Sequence, residues 1–339
     1  MLLPVFIYGN ASLRYFKKKS TMAAVPIWKD KTVSLGSSSV AFRIMKMDDS
    51  SIIYQGKAYK APGAGSVPIR INEICADYLV NALPTMTDRS FTLLTKPSFK
   101  VQKKPASTWN DVETVEFYND WSYDYAFSSS LLSVPITTRV DARMFILTTK
   151  LQTGTVNATY KNKSGTSSIR TATVSGTKDG TAAFKVNAIS NPASVTVNGY
   201  TYTVVTECAK FALYYVNAYG GWDQFLIEGN GMETDSMERF LREMEYDNTS
   251  IVNRGTDNYV SEMTKTWTLN SGLLTDSEAS RMHHLLNSCM VYLGDIATGD
   301  FIPVTISSST CDYKTFKNQG NRMFNYQFSV QLAQNRIRR

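Results

Sequence analysis

Short runs in which apolar and polar residues alternate dominate the chain, and they predict strands. VSLGSSSVAFRIMKM (33–47) and SIIYQGKAYKAP (51–62) both alternate, and they meet at Asp48-Asp49-Ser50, which reads as a hairpin turn. VPIRINEICADYLVNAL (67–83) starts as a strand and turns helical: Ile74, Tyr78 and Leu79 share one face, Asn72 is a plausible cap, and Pro84 ends the run. FTLLT (91–95), VETVEFYNDWSYDYAF (112–127) and PITTRVDARMFILTT (135–149) supply a second set of strands. In 208–230 the pattern predicts two strands around Gly220-Gly221, whereas 236–247 fits helical and strand spacing about equally.

The last hundred residues are more explicit. YVSEMTKTWTLN (259–270) alternates as a strand, and Thr275-Asp276-Ser277-Glu278 then matches the capping box, in which Thr275 caps and Glu278 reaches back. Ala279, Met282, Leu285, Leu286 and Cys289 form the apolar face of a helix of about three turns. FIPVTISS (301–308), TCDYKTFK (310–317) and MFNYQFSVQLA (323–333) complete a sheet beneath it.

Between Thr153 and Thr206, 18 of 54 residues are Ser or Thr, and short alternating runs are separated by turn signals at Lys163-Ser164-Gly165, Lys178-Asp179-Gly180 and Asn198-Gly199. Five or six short strands in that length describe a small β-sandwich or barrel. The shifts in composition divide the chain into a 1–25 N-terminal arm, a 26–95 β-rich domain with a short helix, and a central β-domain of 96–149 plus 207–232. The 150–206 segment is a Ser/Thr-rich inserted module, and 233–339 is a sheet-plus-helix domain. The expected fold class is mainly β, with several β-sandwich-like domains and one α-helix packed on the C-terminal sheet.

Composition agrees. Only 19% of the 339 residues are charged, below the usual level, and Ser, Thr, Asn and Tyr fill the gap. The net charge of +7 permits an anionic partner without demanding one. It gathers at Lys17, Lys18 and Lys19, in the 150–206 segment, and at Arg336, Arg338 and Arg339, while 233–247 carries six carboxylates against Arg239 and Arg242. The basic termini lack the aromatic interleaving of a nucleic-acid site, so a solvated or subunit-facing role is preferred for them. The apolar start MLLPVFIYGN has no preceding basic region, is interrupted by Pro4, and reads as an arm rather than a signal peptide. No apolar run is long enough for a membrane helix.

The chemistry is sparse. The cysteines at 75, 208, 289 and 311 form no CxxC pair and read as small buried thiols. His283 and His284 are adjacent, so on a helix they diverge by roughly 100° and cannot clamp one metal. No P-loop, GxGxxG, GxSxG or HExxH pattern is present, so no cofactor, metal or catalytic residue is assigned and the chain is not read as an enzyme. Glu113 with Glu116, or Asp120 with Asp124, could pair as glycosidase carboxylates, but surface carboxylates are the plainer reading. Trp121, Tyr123, Tyr125 and Phe127 share one strand face, and Tyr214, Tyr215, Tyr219 and Trp222 crowd another segment. Trp121, Tyr123, Tyr125 and Trp222 are candidates for an aromatic interface or a sugar-stacking platform, with core or subunit interface preferred.

VPIWKDKTVSL, IIYQGKAYKAP, INEICADYL, EFYNDWSYDY, YYVNAYGGWDQFLIEG and KTWTLNSGLLTDSE, followed by FIPVTI and RMFNYQFSVQLA, together resemble virion structural proteins of tailed bacteriophages of the Bacteroides group. The resemblance implies a tail or baseplate component that is assembled in the bacterial cytoplasm and functions in the virion. Its partners would be copies of itself and neighbouring virion proteins. The element order of the C-terminal unit is similar to that of ring-forming tail proteins, and the 150–206 module is similar in architecture to an immunoglobulin-like decoration, without the Cys…Trp…Cys signature. The expected function is structural: assembly into a symmetric ring or collar through β-domains and the N-terminal arm. A carbohydrate-binding host-attachment role, with host surface glycan as partner, is the alternative, and a glycan-degrading enzyme ranks third.

Overall fold

The computed structural model describes residues 25–26, 31–47, 49–79, 83–94, 98–118, 120–121, 132–151, 155–173, 179–205, 209–243, 256–307, 324–333 and 336–338. The protein is mainly β. The first part contains β1 (Val25–Pro26), β2 (Thr32–Ser34), β3 (Val40–Lys46), β4 (Ile52–Ala58), β5 (Pro68–Arg70), α1 (Asn72–Ala76), β6 (Ser90–Leu93), β7 (Ser98–Lys104) and β8 (Asn110–Tyr118). A five-stranded sheet runs β1-β8-β7-β3-β4, and β2 pairs with β5. The alternation in β3 works as expected: Val40, Phe42 and Ile44 enter a core with Phe99, Val101, Val115 and Phe117, closed by Val33, Leu35, Ile71 and Cys75. The β3–β4 hairpin turns at Asp49, whose Oδ1 accepts from Ser51 N at 2.9 Å, and Ser50 adopts φ 58°. Helix α1 is shorter than the pattern suggests. Ile71 rather than Asn72 occupies its cap position, with no side-chain cap bond, and the Asn72 side chain is buried instead.

The middle part comprises β9 (Arg139–Asp141), β10 (Phe145–Lys150), β11 (Thr155–Asn162), β12 (Ser167–Thr173), β13 (Gly180–Lys185), β14 (Pro192–Val197) and β15 (Tyr200–Val205). One sheet runs β12-β11-β14-β15-β9 and the other runs β10-β13-β6. Their facing residues, among them Tyr160, Val195, Tyr202, Ile146 and Phe184, form one core. The Asn198-Gly199 hairpin is present, with φ of 51° and 84° at its two central residues, the signature of a type I′ turn. Of the turn expected at Lys178-Asp179-Gly180, Lys178 lies outside the described residues, and the strands on either side do not pair with each other. β13 leaves β12 and pairs instead with β10 and β6 in the other sheet. Its first five residues are all buried, as suits the central strand of a small covered sheet. The strands of 150–206 therefore complete a sandwich with β6, β9 and β10, which come from outside that segment. The alternating run 135–149 is likewise split in two, because Asp141 makes a tight turn in which its Oδ1 accepts from Arg143 N at 2.9 Å.

The last part comprises β16 (Phe211–Val216), β17 (Trp222–Leu226), β18 (Met232–Glu243), β19 (Thr256–Asn270), α2 (Asp276–Ala279), α3 (Met282–Leu286), β20 (Val291–Asp295), β21 (Phe301–Ile306), β22 (Gln327–Leu332) and β23 (Arg336–Arg338). These strands form a sheet in the order β17-β16-β20-β21-β22-β19-β18, with β23 also on β19. The unbroken apolar run of β16 reflects burial on both sides. Ala212, Tyr214 and Val216 join the sandwich core, while Leu213 and Tyr215 join a separate core with Trp267, Leu269, Met282 and Leu285. The capping box forms: Thr275 accepts from Glu278 N, and Glu278 Oε2 accepts from Thr275 N at 2.8 Å. The helical segment bends between α2 and α3, where Ser280 Oγ donates to the Ser277 carbonyl and Arg281 Nη1 donates to the Pro135 carbonyl. The predicted strand at 310–317 lies outside the described residues.

Candidate assembly surface

The ambiguous acidic stretch proves to be β18, one arm of a long antiparallel hairpin with β19. β19 is rooted in the sheet at 266–270, where it pairs with β22 and buries Trp267 and Leu269. Beyond Thr266 it runs ten residues further to Thr256, about 30 Å at strand rise. Among the described residues, β18 forms the edge of the sheet and the short β23 alone pairs on the other side of β19, at 261–263. Thr234 and Phe240 in β18, and Tyr259, Val260, Trp267 and several threonines in β19, favour the extended backbone, and a bulge at Phe240/Leu241 twists the ribbon.

Every residue from 232 to 242 is exposed. The apolar ones are large: Met232 (62% exposed), Met237 (59%), Phe240 (37%) and Leu241 (62%), with Tyr259 (51%) on the other arm. Alternation spreads them over both faces, because Met237 stands opposite Met263 while the neighbouring pair Phe240–Val260 occupies the other face. The base is electrostatically fastened. Lys265 hydrogen-bonds Glu233 and holds its carboxyl below the usual range, and Trp267 Nε1 donates to Glu233 at 3.3 Å. Beside the base lies a cleft of about 360 Å³ lined by 209–211 and 227–233. Farther out, Glu238 stands directly opposite Glu262, and no ion pair among the described residues involves either.

The residues expected to mark a site fall in different places. Lys17, Lys18, Lys19, Tyr123, Tyr125 and Arg339 lie outside the described residues. Arg336 and Arg338 are in β23, in register with Met263 and Ser261, so the basic tail is brought onto the hairpin. Trp121 is 44% exposed and donates its backbone N–H to the Ala218 carbonyl. Trp222 cannot serve as a sugar platform: it is 1% exposed, with Tyr292 6.1 Å from its ring centre. The strand that carries it is buried along its whole length, which leaves no ring face in water. Glu113 pairs with Lys31 at 2.5 Å and Glu116 accepts from Ser98 at 3.3 Å, so the two serve separate structural contacts. Asp124 lies outside the described residues. Of the thiols, Cys75 is buried and Cys289 is exposed, while 208 and 311 are not described.

The pattern reading missed a buried polar knot beneath the sandwich. Asp223 Oδ2 accepts from Asn217 Nδ2 at 2.6 Å and from Val134 N at 2.9 Å, while Gln224 Oε1 accepts from Leu147 N at 2.8 Å. Burial pushes the Asp223 carboxyl up to about 7, against the pull of those hydrogen bonds. The detectable signal was Asp-Gln in the middle of an apolar run, WDQFL. The knot ties the 132–134 backbone to β10 and β17. His284 is also buried, its ring 5.4 Å from Tyr219 and 4.0 Å from His283. Burial, followed by the nearby His283 and Arg281 charges, lowers its pKa to about 4. Among the described residues no three His, Cys, Asp or Glu side chains gather as a metal site, and no helix is long and apolar enough to cross a membrane. No protein-family model, curated protein or solved structure matches this chain.

Proposed function

We propose that this protein is a structural subunit of a bacteriophage tail or baseplate, assembling with further copies of itself and with neighbouring virion proteins into a symmetric ring or collar. The observation that carries the reading is the β18–β19 hairpin. A two-stranded ribbon of this length has no core of its own, and a chain that stayed alone in water would gain nothing by exposing Met232, Met237, Phe240 and Leu241 on it. Its open edge and apolar faces suit burial against a neighbour. The sequence resemblance supplies the context of the virion.

Sedimentation velocity and negative-stain imaging of the purified chain test this. Closed symmetric particles are expected, dispersed to folded monomers by Met237→Glu with Leu241→Glu. A chain that stays monomeric at every concentration overturns the reading.

A further inference from the structure

The hairpin carries a feature that is costly in an isolated chain. Glu238 and Glu262 are direct cross-strand partners, and like charges so placed repel. They share a face with the neighbouring pair Phe240 and Val260, so this face presents two carboxylates beside the exposed Phe240 and the half-buried Val260.

A surface of opposite character lies on the first sheet. Because Val40, Phe42 and Ile44 point into the core, Ala41 and Arg43 point outward, and the register places Lys57 and Lys104 on that outer face beside Ala41. Arg43 lies over the Trp109 ring at 4.5 Å, with Lys104 at 5.9 Å from the same ring, while Lys57 is 5.3 Å from the ring of Tyr59. Asp111, in register with Gln102 on this face, is already held by Gln102 at 2.6 Å and Lys100 at 3.0 Å. Three cations framed by two aromatic rings thus stand on or beside β4, which is the edge strand of its sheet among the described residues.

We infer that the hairpin of one copy docks on this cationic face of the next, with Glu238 and Glu262 against Arg43, Lys57 and Lys104 and with Phe240 against Trp109. The inference rests on the proposed self-assembly and specifies its contact. Charge complementarity selects a second copy as the occupant, since the chain bears both halves on separate sheets. Such a contact is head-to-tail, so it closes only if the rotation per subunit returns to the start.

Glu238→Lys with Glu262→Lys is expected to weaken self-association at least about tenfold, as is Arg43→Glu with Lys104→Glu. Mixing these two double variants should restore pairing, because each retains the end that now matches the other. Arg43→Gln with Lys104→Gln covers the case in which charge reversal unfolds the first sheet. Glu262→Gln supplies an independent reading. In dilute solution it should raise the melting temperature by relieving the repulsion, while weakening association. Assembly that is unchanged by the hairpin reversal, or losses without rescue on mixing, overturns this contact and leaves the ring reading standing. A wild-type chain that never associates overturns both.

Discussion

Asp223 and Trp222 are neighbours in sequence with opposite reasons for being buried. Trp222 fills space between the sandwich and the last sheet, and Trp222→Ala should cost about 3–5 kcal/mol, measured by denaturant unfolding. That outcome would separate a packing residue from a ligand platform. Asp223 is held as an acid that prefers its proton, so its contribution has the reverse of the usual carboxylate sign. With the folded value raised to about 7 from 3.8, the stability it supplies is complete below pH 3.8 and is lost as pH rises through 7. His284, lowered to about 4, favours the fold above pH 6.5 and loses that contribution as pH falls through 4. Between about pH 4 and 6.5 the two slopes oppose each other. Asp223→Asn should therefore flatten the fall in melting temperature between pH 6.5 and 8, and should unmask a rise from pH 4 to 6.5. An unchanged profile would locate the titration elsewhere.

Among the elements, those specified by neighbours in sequence were legible, and those specified by distant partners were not. The β3–β4 hairpin, the Asn198-Gly199 turn and the Thr275–Glu278 capping box each carry their instruction within a few residues. β13 does not. The glycine at its start reads locally as a turn residue, yet Gly180 is there because a Cβ would meet the Phe91 ring at 2.2 Å across the sheet. Residues 236–247 were ambiguous because helix periodicity presumes a buried stripe, and β18 buries neither face. The same absence hid the candidate surface, since the spacing of Met237, Phe240 and Leu241 fits a helix and a strand about equally. Gly221 offers the sharpest test at this scale. A Cβ there would lie 2.2 Å from the Leu132 carbonyl oxygen, whereas at Gly231 the nearest atom is at 3.4 Å. Gly221→Ala is expected to destabilise by about 2–4 kcal/mol and Gly231→Ala by less than about 1, compared by thermal melting.

Taken whole, the molecule joins a separate N-terminal core to a sandwich and a large sheet that share β16 between two cores. The hairpin is an outgrowth of β19, a strand whose root at 266–270 lies in the large sheet. At the root of that arm Trp267 and Leu269 are buried. The strand exchange that builds the sandwich has a further consequence, for synthesis. Among the described residues β6 pairs with β13 alone: Leu93 is in register with Gly180, 87 positions later in the chain. At roughly 5–20 residues per second, that is about 4–17 s during which a nascent strand waits without its sheet. β6 therefore emerges from the ribosome ahead of the strand it pairs with, and slowing translation between residues 93 and 180 should lengthen the interval in which it can pair wrongly.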